Sequence, residues 1–221
     1  MELLKTVFDV FLQTYPGFLK ATLITLQITA VALVLGTILG LIFALMKISR
    51  SKVLQTIANF YITIIRGTPL IVQIMFLYFG ITALVVLSGF WAGAIALGIH
   101  NGAYIAEIFR GAIQGIDKGQ REASSSLGMT RAQSMRRIIF PQALKRSIPP
   151  LGNQFIITLK DSSLVYIISV PELFAMANRE AAQNWKSLET YLVVGAYYLV
   201  LVMIFTYLLK LYENKLNVDK S

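Results

Sequence analysis

The sequence predicts an all-α membrane protein with five transmembrane helices in a single domain over residues 1–221. Hydrophobic residues make up 56% of the chain against 14% charged, with a mean hydropathy of +0.67, a balance that suits a hydrocarbon environment. The apolar residues gather into runs long enough to cross about 30 Å of bilayer. A single polar, basic insert, Lys118–Pro141, carries Arg121, Arg131, Arg136 and Arg137 against one acid, Glu122.

Taken in order, the N-terminus has Glu2 and Asp9 and no basic leader, so it reads as a short amphipathic helix ending at Tyr15-Pro16-Gly17 and not as a cleaved signal peptide. The first span covers about 18–46, where Gly36 and Gly40 form a GxxxG step that permits close helix contact. Lys47, Arg50 and Lys52 mark a turn before a second span at about 53–87, interrupted by Arg66-Gly67-Thr68-Pro69. Glycine and proline at that depth imply a kink or local unwinding. A third, glycine-rich span covers about 88–114, a fourth about 148–170 and a fifth about 188–211. A polar loop of 115–147 lies between the third and fourth, and a loop of 171–187 with a short helix lies between the fourth and fifth.

Five spans put the termini on opposite sides, and the basic residues choose the orientation. Fourteen of the 20 Lys and Arg residues fall in 47–52, 110–146 and 210–220, and four, Lys5, Lys20, Arg179 and Lys186, fall on the other face. The basic face is expected to be cytoplasmic, with the N-terminus outside and the C-terminus inside.

Within the insert, residues 119–127 favour a helix, Gly128 ends it in a left-handed or open position, and Thr130 caps a second helix, 131–140, which Pro141 stops. Ala123, Ser124 and Leu127 can share one face of the first helix. A glycine turn between basic helices is also seen in DNA-binding helix-turn-helix units. Membrane spans close on both sides argue against nucleic acid.

Arg66, Glu107, Lys160 and Asp161 fall inside expected spans, where charges face a partner or a wet cavity. Their charges sum to zero, which fits either helix-holding pairs, Arg66 with Glu107 and Lys160 with Asp161 or a backbone carbonyl, or a site for a zwitterion. Thr68, Gln73, Asn101, Tyr104, Ser162 and Ser163 add uncharged hydrogen-bonding groups nearby. Helical spacing lets Asn101, Tyr104 and Glu107 point into one cavity. His100 reads as a core residue, and Met75, Phe76, Tyr78 and Phe79 as packing or lipid-facing groups. No metal-ligand cluster, no catalytic constellation and no GxxxxGK[ST] phosphate loop occurs in the sequence. With no cysteine there are no disulfides.

Glu122-Ala123, Gly128 six residues after the glutamate, and Ile138-x-Phe140-Pro141 resemble the EAA loop of ABC importer permeases. Ser124 and Phe140 depart from its usual Glu-Ala-Ala and Leu-Pro without adding charge. RGTPLIVQ at 66–73, AYIAEIFRGAIQGIDKGQ at 103–120, FPQALKRSIPPLGNQFI at 140–156 and KDSSL at 160–164 extend the resemblance to the polar amino-acid branch of these permeases, with a type I importer fold.

The resemblance implies a bacterial cytoplasmic-membrane subunit that works as a dimer, a homodimer being expected. Two copies of an ABC ATPase subunit, which use ATP and Mg, and an extracytoplasmic amino-acid-binding protein complete the assembly; this chain binds no cofactor. It assigns ATPase coupling to Arg121, Glu122, Ala123, Ser124, Leu127 and Gly128. Substrate contact falls at the region matching Thr68, Asn101, Glu107 and Asp161, with Arg66, Gln73, Tyr104, Lys160 and Ser163 as further candidates. The expected activity is ATP-driven uptake of polar, in particular basic, amino acids by alternating access. The alternative is an ion-coupled secondary carrier using Glu107 or Asp161.

Overall fold

Helix is the secondary structure of the chain throughout a computed structural model that describes residues 2–82 and 85–216, with no strand among them. Residues 83 and 84 of the expected second span, and Lys220 of the charge count, lie outside the described residues.

The first helix, α1 (Glu2–Lys47), is 46 residues long, so the expected break at Pro16 does not occur. At 1.5 Å per residue it extends about 69 Å, more than one bilayer crossing needs. Proline inside a helix costs about 3 kcal/mol. Packing offsets that cost, because Val10, Thr14 and Phe18 flank the proline and are buried. The partners here are α8 (Leu173–Asn184) and α9 (Ser187–Leu216). Gly17 faces the Met176 methyl of α8 directly.

The second expected span is two helices, α2 (Lys52–Gly67) and α3 (Leu70–Gly80), bent by 105°. Thr68 is extended (φ −119°, ψ 146°), as the residue before Pro69 must be. The break is stitched by one side chain. Gln73 Nε2 donates to Ile65 O (2.8 Å), Thr68 O (3.1 Å) and Thr68 Oγ1 (2.8 Å), so carbonyls released by the unwinding keep a donor.

At the centre lies α4 (Gly89–Gln114), packed along α1. The GxxxG step works as its spacing predicts: a Cβ at Gly36 would lie 2.9 Å from Asn101 Cβ, and one at Gly40 2.5 Å from Ile105 Cγ2. Gly98 and Gly102 return the contact against Leu35 and Leu39. By length and hydropathy, α1 and α9 each qualify as membrane spans, and α2 with α3 as one broken span. The third and fourth expected positions are taken by α4 and by α7 (Phe140–Asp161). Neither is apolar enough over a span's length to qualify by the same measure, and burial inside the bundle explains why α4 can hold Asn101 at its middle.

Between α4 and α7 the chain forms an elbow: α5 (Lys118–Ser126), then α6 (Arg131–Ser134) running into a π turn at Met135–Ile139. The expected stop at Pro141 is corrected, because Pro141 lies in the first turn of α7 and the helix continues through it. The wide turn makes this possible. Phe140 N–H reaches back to Met135 O, five residues away, so the absent N–H of Pro141 interrupts no ladder. The helix at the expected fourth span therefore begins at 140, ahead of 148, and it closes with 3₁₀ turns over Ser162–Ile168.

Candidate functional site

The elbow is fixed by local chemistry at each joint. Asp117 caps α5 by accepting from Gly119 N–H (2.7 Å). Gly128 has φ +75°, and Met129 N–H to Ser124 O (3.0 Å) with Gly128 N–H to Ser125 O (2.9 Å) completes a Schellman closure. Thr130 and Gln133 form a reciprocal capping box at the start of α6. Arg121 donates to Ile113 O on α4 (3.0 Å), tying the elbow to α4, and Arg146 of α7 donates to Gly115 O (2.5 Å), tying the two flanking helices at the base of the elbow.

Of the residues expected to couple to a partner, Glu122, Ala123 and Leu127 are exposed, Leu127 at 81%. Ser124 is buried instead, with its hydroxyl 2.6 Å from that of Ser134. The expected apolar face is therefore split: Ser124 closes the elbow on itself, and Leu127 stands outward.

A cleft of about 470 Å³ lies between the end of α1, α2 and α4, lined by Lys47, Arg66, Gly67, Tyr104 and Glu107 among others. Glu107 Oε1 is 2.5 Å from Lys47 Nζ, and Oε2 is 2.7 Å from Arg110 Nε and Nη2. The expected Arg66–Glu107 pair is not formed. Arg66 lies instead over the Tyr104 ring, 5.2 Å from its centroid, a cation–π contact. Two cations hold one carboxylate here, and among the described residues Arg66 pairs with no carboxylate, so the lining of the cleft carries excess positive charge.

Asn101 does not share this cleft. It is fully buried, donating to Leu97 O (2.8 Å) and accepting from Gln154 Nε2 (2.6 Å) and Thr158 Oγ1 (2.8 Å) of α7. Its neighbour His100 contacts Gln73 Oε1 (3.0 Å), tying the α2–α3 break to α4. Lys160 and Ser163 line a separate cleft of about 600 Å³ with Phe174, Tyr191 and Tyr198. Asp161 is half-buried beside them and forms no ion pair with Lys160.

Several contributors were not singled out from the sequence. Lys47 and Arg110 fall in the segments of the cytoplasmic basic face, and the i,i+3 spacing of Glu107 and Arg110 is the signal the sequence offers. Gln154 and Thr158 gave none that a single sequence exposes. Glu172, fully buried, caps α8 through Phe174 N–H (2.8 Å) and Ala175 N–H (2.7 Å) and accepts from Tyr198 Oη (2.9 Å). Burial pushes its carboxyl up to about 7, against these donors, which favour the charged form.

Residues 36–218 match the family of binding-protein-dependent transport system inner membrane components. The chain is 37% identical to the arginine transport system permease protein ArtQ of Bacillus subtilis over 212 residues, covering 95% of this chain and 97% of that one. To the glutamine transport system permease protein GlnP of Escherichia coli it is 36% identical over 206 residues, covering 92% and 94%. The crystal structure of an amino acid ABC transporter with histidines superposes with a TM-score of 0.88 at 40% identity, over 93% of this chain and 96% of that one. The MetNI methionine ABC transporter in inward-facing conformations, at 19% identity and a TM-score of 0.81 over 92% and 98%, shares the fold.

Proposed function

The chain belongs to the binding-protein-dependent transport system inner membrane component family, and on that premise we propose that it forms the membrane pathway of an ATP-driven amino-acid importer. It is a multi-pass permease subunit with the type I importer fold and not an enzyme; ATP hydrolysis belongs to a separate ATPase subunit. Residues 1–221 act as one transmembrane domain, with 115–147 on the cytoplasmic side, the N-terminus outside and the C-terminus inside. Two permease chains, read as identical copies, pair above two ATPase subunits, and an external binding protein delivers the amino acid.

The observation that carries this reading is the elbow. It exposes Glu122, Ala123 and Leu127 while Arg121 bonds it to α4 at Ile113 and the chain continues into α7, whose Arg146 holds Gly115 just after α4. A push on it is transmitted to both helices without a flexible joint. ATP binding draws the elbow, with Arg121 on α5 and Gly128 at its middle turn, inward; α7 and the α2–α3 break rock, and the pathway alternates between the two sides.

The substrate is a polar amino acid, a basic one in particular, in keeping with the arginine and glutamine permeases it resembles. Arg66 holds the α-carboxylate by charge-assisted hydrogen bonds. Tyr104 lines the same approach, and Thr68 and Gln73 line a neighbouring, apolar cleft with Ile65, Val72 and Phe76. Glu107 takes a cationic group only when Lys47 or Arg110 releases it, which makes rearrangement part of loading. Lys160, Asp161 and Ser163 form a second polar station, and Asn101 holds α4 on α7 between them. The carrier alternative is not favoured, because Glu107 is already held by two cations.

The test is uptake into vesicles reconstituted with the permease, the ATPase subunit and the binding protein, screened with labelled amino acids. Uptake of a basic or polar amino acid that requires internal ATP supports the proposal. Uptake driven by a proton or sodium gradient without ATP overturns it.

A further inference from the structure

We propose that the cleft between the α1–α2 turn and the elbow holds the phosphate of an anionic phospholipid headgroup from the adjoining membrane leaflet. The cleft, of about 550 Å³, is lined by Ile48, Arg50, Arg121, Arg131, Met135 and Ile139 among others. Three arginines line it, and the lining contains no carboxylate. Among the described residues the ion pairs are both on Glu107, so none of these arginines is neutralised by the protein. Arg121 uses one nitrogen on Ile113 O, and Arg50 and Arg131 donate to no protein acceptor among the described residues.

Position selects the ligand. Ile48 follows Lys47, the last residue of α1, and Arg50 lies in the turn before α2 begins at Lys52. On the proposed topology the first span ends and the second begins at this turn, on the charged cytoplasmic side, which sets the cleft beside the headgroups of that leaflet. The cleft is also layered. Ile48, Met135 and the buried Ile139 supply an apolar wall, and the arginines supply the charge. A free anion uses only the charged half. A phospholipid uses both, with its phosphate in the guanidinium forks and its glycerol and first methylenes on the apolar wall. Basic pockets between membrane helices at the charged leaflet take anionic lipids for the same reason. The inference goes beyond the transport reading and does not depend on which amino acid is carried.

The test is native mass spectrometry of the purified permease in neutral detergent, titrated separately with phosphatidylglycerol, phosphatidylcholine and inorganic phosphate. Arg50→Gln combined with Arg131→Gln removes two exposed, unbonded side chains, and Arg50→Gln alone is the milder variant. Phosphatidylglycerol is expected to bind the wild type and to weaken by about tenfold in the double variant, the loss of one or two charge-assisted contacts. Phosphatidylcholine should show no difference between the two proteins, and Lys145→Gln, an exposed cation outside the cleft, should bind as the wild type does. Equal phosphatidylglycerol binding by the wild type and both variants overturns the proposal. So does displacement of the lipid by equimolar inorganic phosphate, which marks a free-anion site. Loss of ATPase association by the double variant with lipid binding unchanged assigns the cleft to a protein partner and also overturns it.

Discussion

The hydroxyls of Ser124 and Ser134 lie 2.6 Å apart inside the elbow, joining α5 to α6 across the left-handed turn at Gly128. This is the position where the EAA pattern usually has alanine, and the departure has a local reason in the partner ten residues later. The bond makes the elbow a rigid unit.

Removing one hydroxyl should loosen that unit. Ser124→Ala or Ser134→Ala is expected to cost about 1 kcal/mol, and the double variant less than the sum of the singles, since the two share one hydrogen bond. Hydrogen exchange across residues 118–139 measures this. Additive effects would mean that the contact contributes nothing.

Gln73 should be needed for the shape of the α2–α3 break. Gln73→Leu keeps the size but leaves the Ile65 and Thr68 carbonyls and His100 without their contact, at a cost of about 1–3 kcal/mol. A lower melting temperature with faster amide exchange at residues 64–70 is expected. Unchanged exchange there would assign the geometry to Pro69 alone.

Glycine on the α1–α4 seam is required for space. A Cβ at Gly40 meets Ile105 Cγ2 at 2.5 Å, so Gly40→Ala should destabilise by about 1–3 kcal/mol. At Gly111, on the same α4, an added Cβ meets nothing within 4 Å. Gly111→Ala should be neutral or stabilise by up to about 1 kcal/mol. Thermal unfolding of the two variants side by side reads the difference.

Glu172 should make stability depend on pH. Its carboxyl in the fold titrates near 7, above the ordinary value of about 4.3. The fold therefore binds a proton that the unfolded chain has released, so this contribution is full below about pH 4 and fades as pH rises through 7. The melting temperature of the wild type should fall between pH 5 and pH 8, and Glu172→Gln should flatten that fall. A wild-type melting temperature that rises across this window would contradict it.

The sequence made the helices around glycine, proline and capping residues legible, because these act through local geometry. The break at Gly67–Pro69, the left-handed Gly128, the Thr130 cap and the Gly36–Gly40 seam all follow from such rules. What local rules missed were tertiary overrides. Pro16 is held helical by burial of Val10 and Phe18, and Pro141 by a π turn one step before it. In the site, the charges within the expected spans were visible but their partners were not. Whether Glu107 meets Arg66 or Lys47 depends on how α1 and α2 lie against α4, and one sequence carries no record of that pairing. Asn101 was displaced from the expected cavity for the same reason, since Gln154 and Thr158 lie more than 50 residues away.

The central claim, that the exposed face of the elbow is gripped by a separate ATPase subunit, is tested most directly by a pull-down with Glu122→Lys and Leu127→Asp permeases. Both side chains are exposed and far from the core contacts, so membrane insertion and melting temperature should match the wild type. The account predicts that ATPase association falls by at least tenfold in each. Wild-type association by both variants would contradict it.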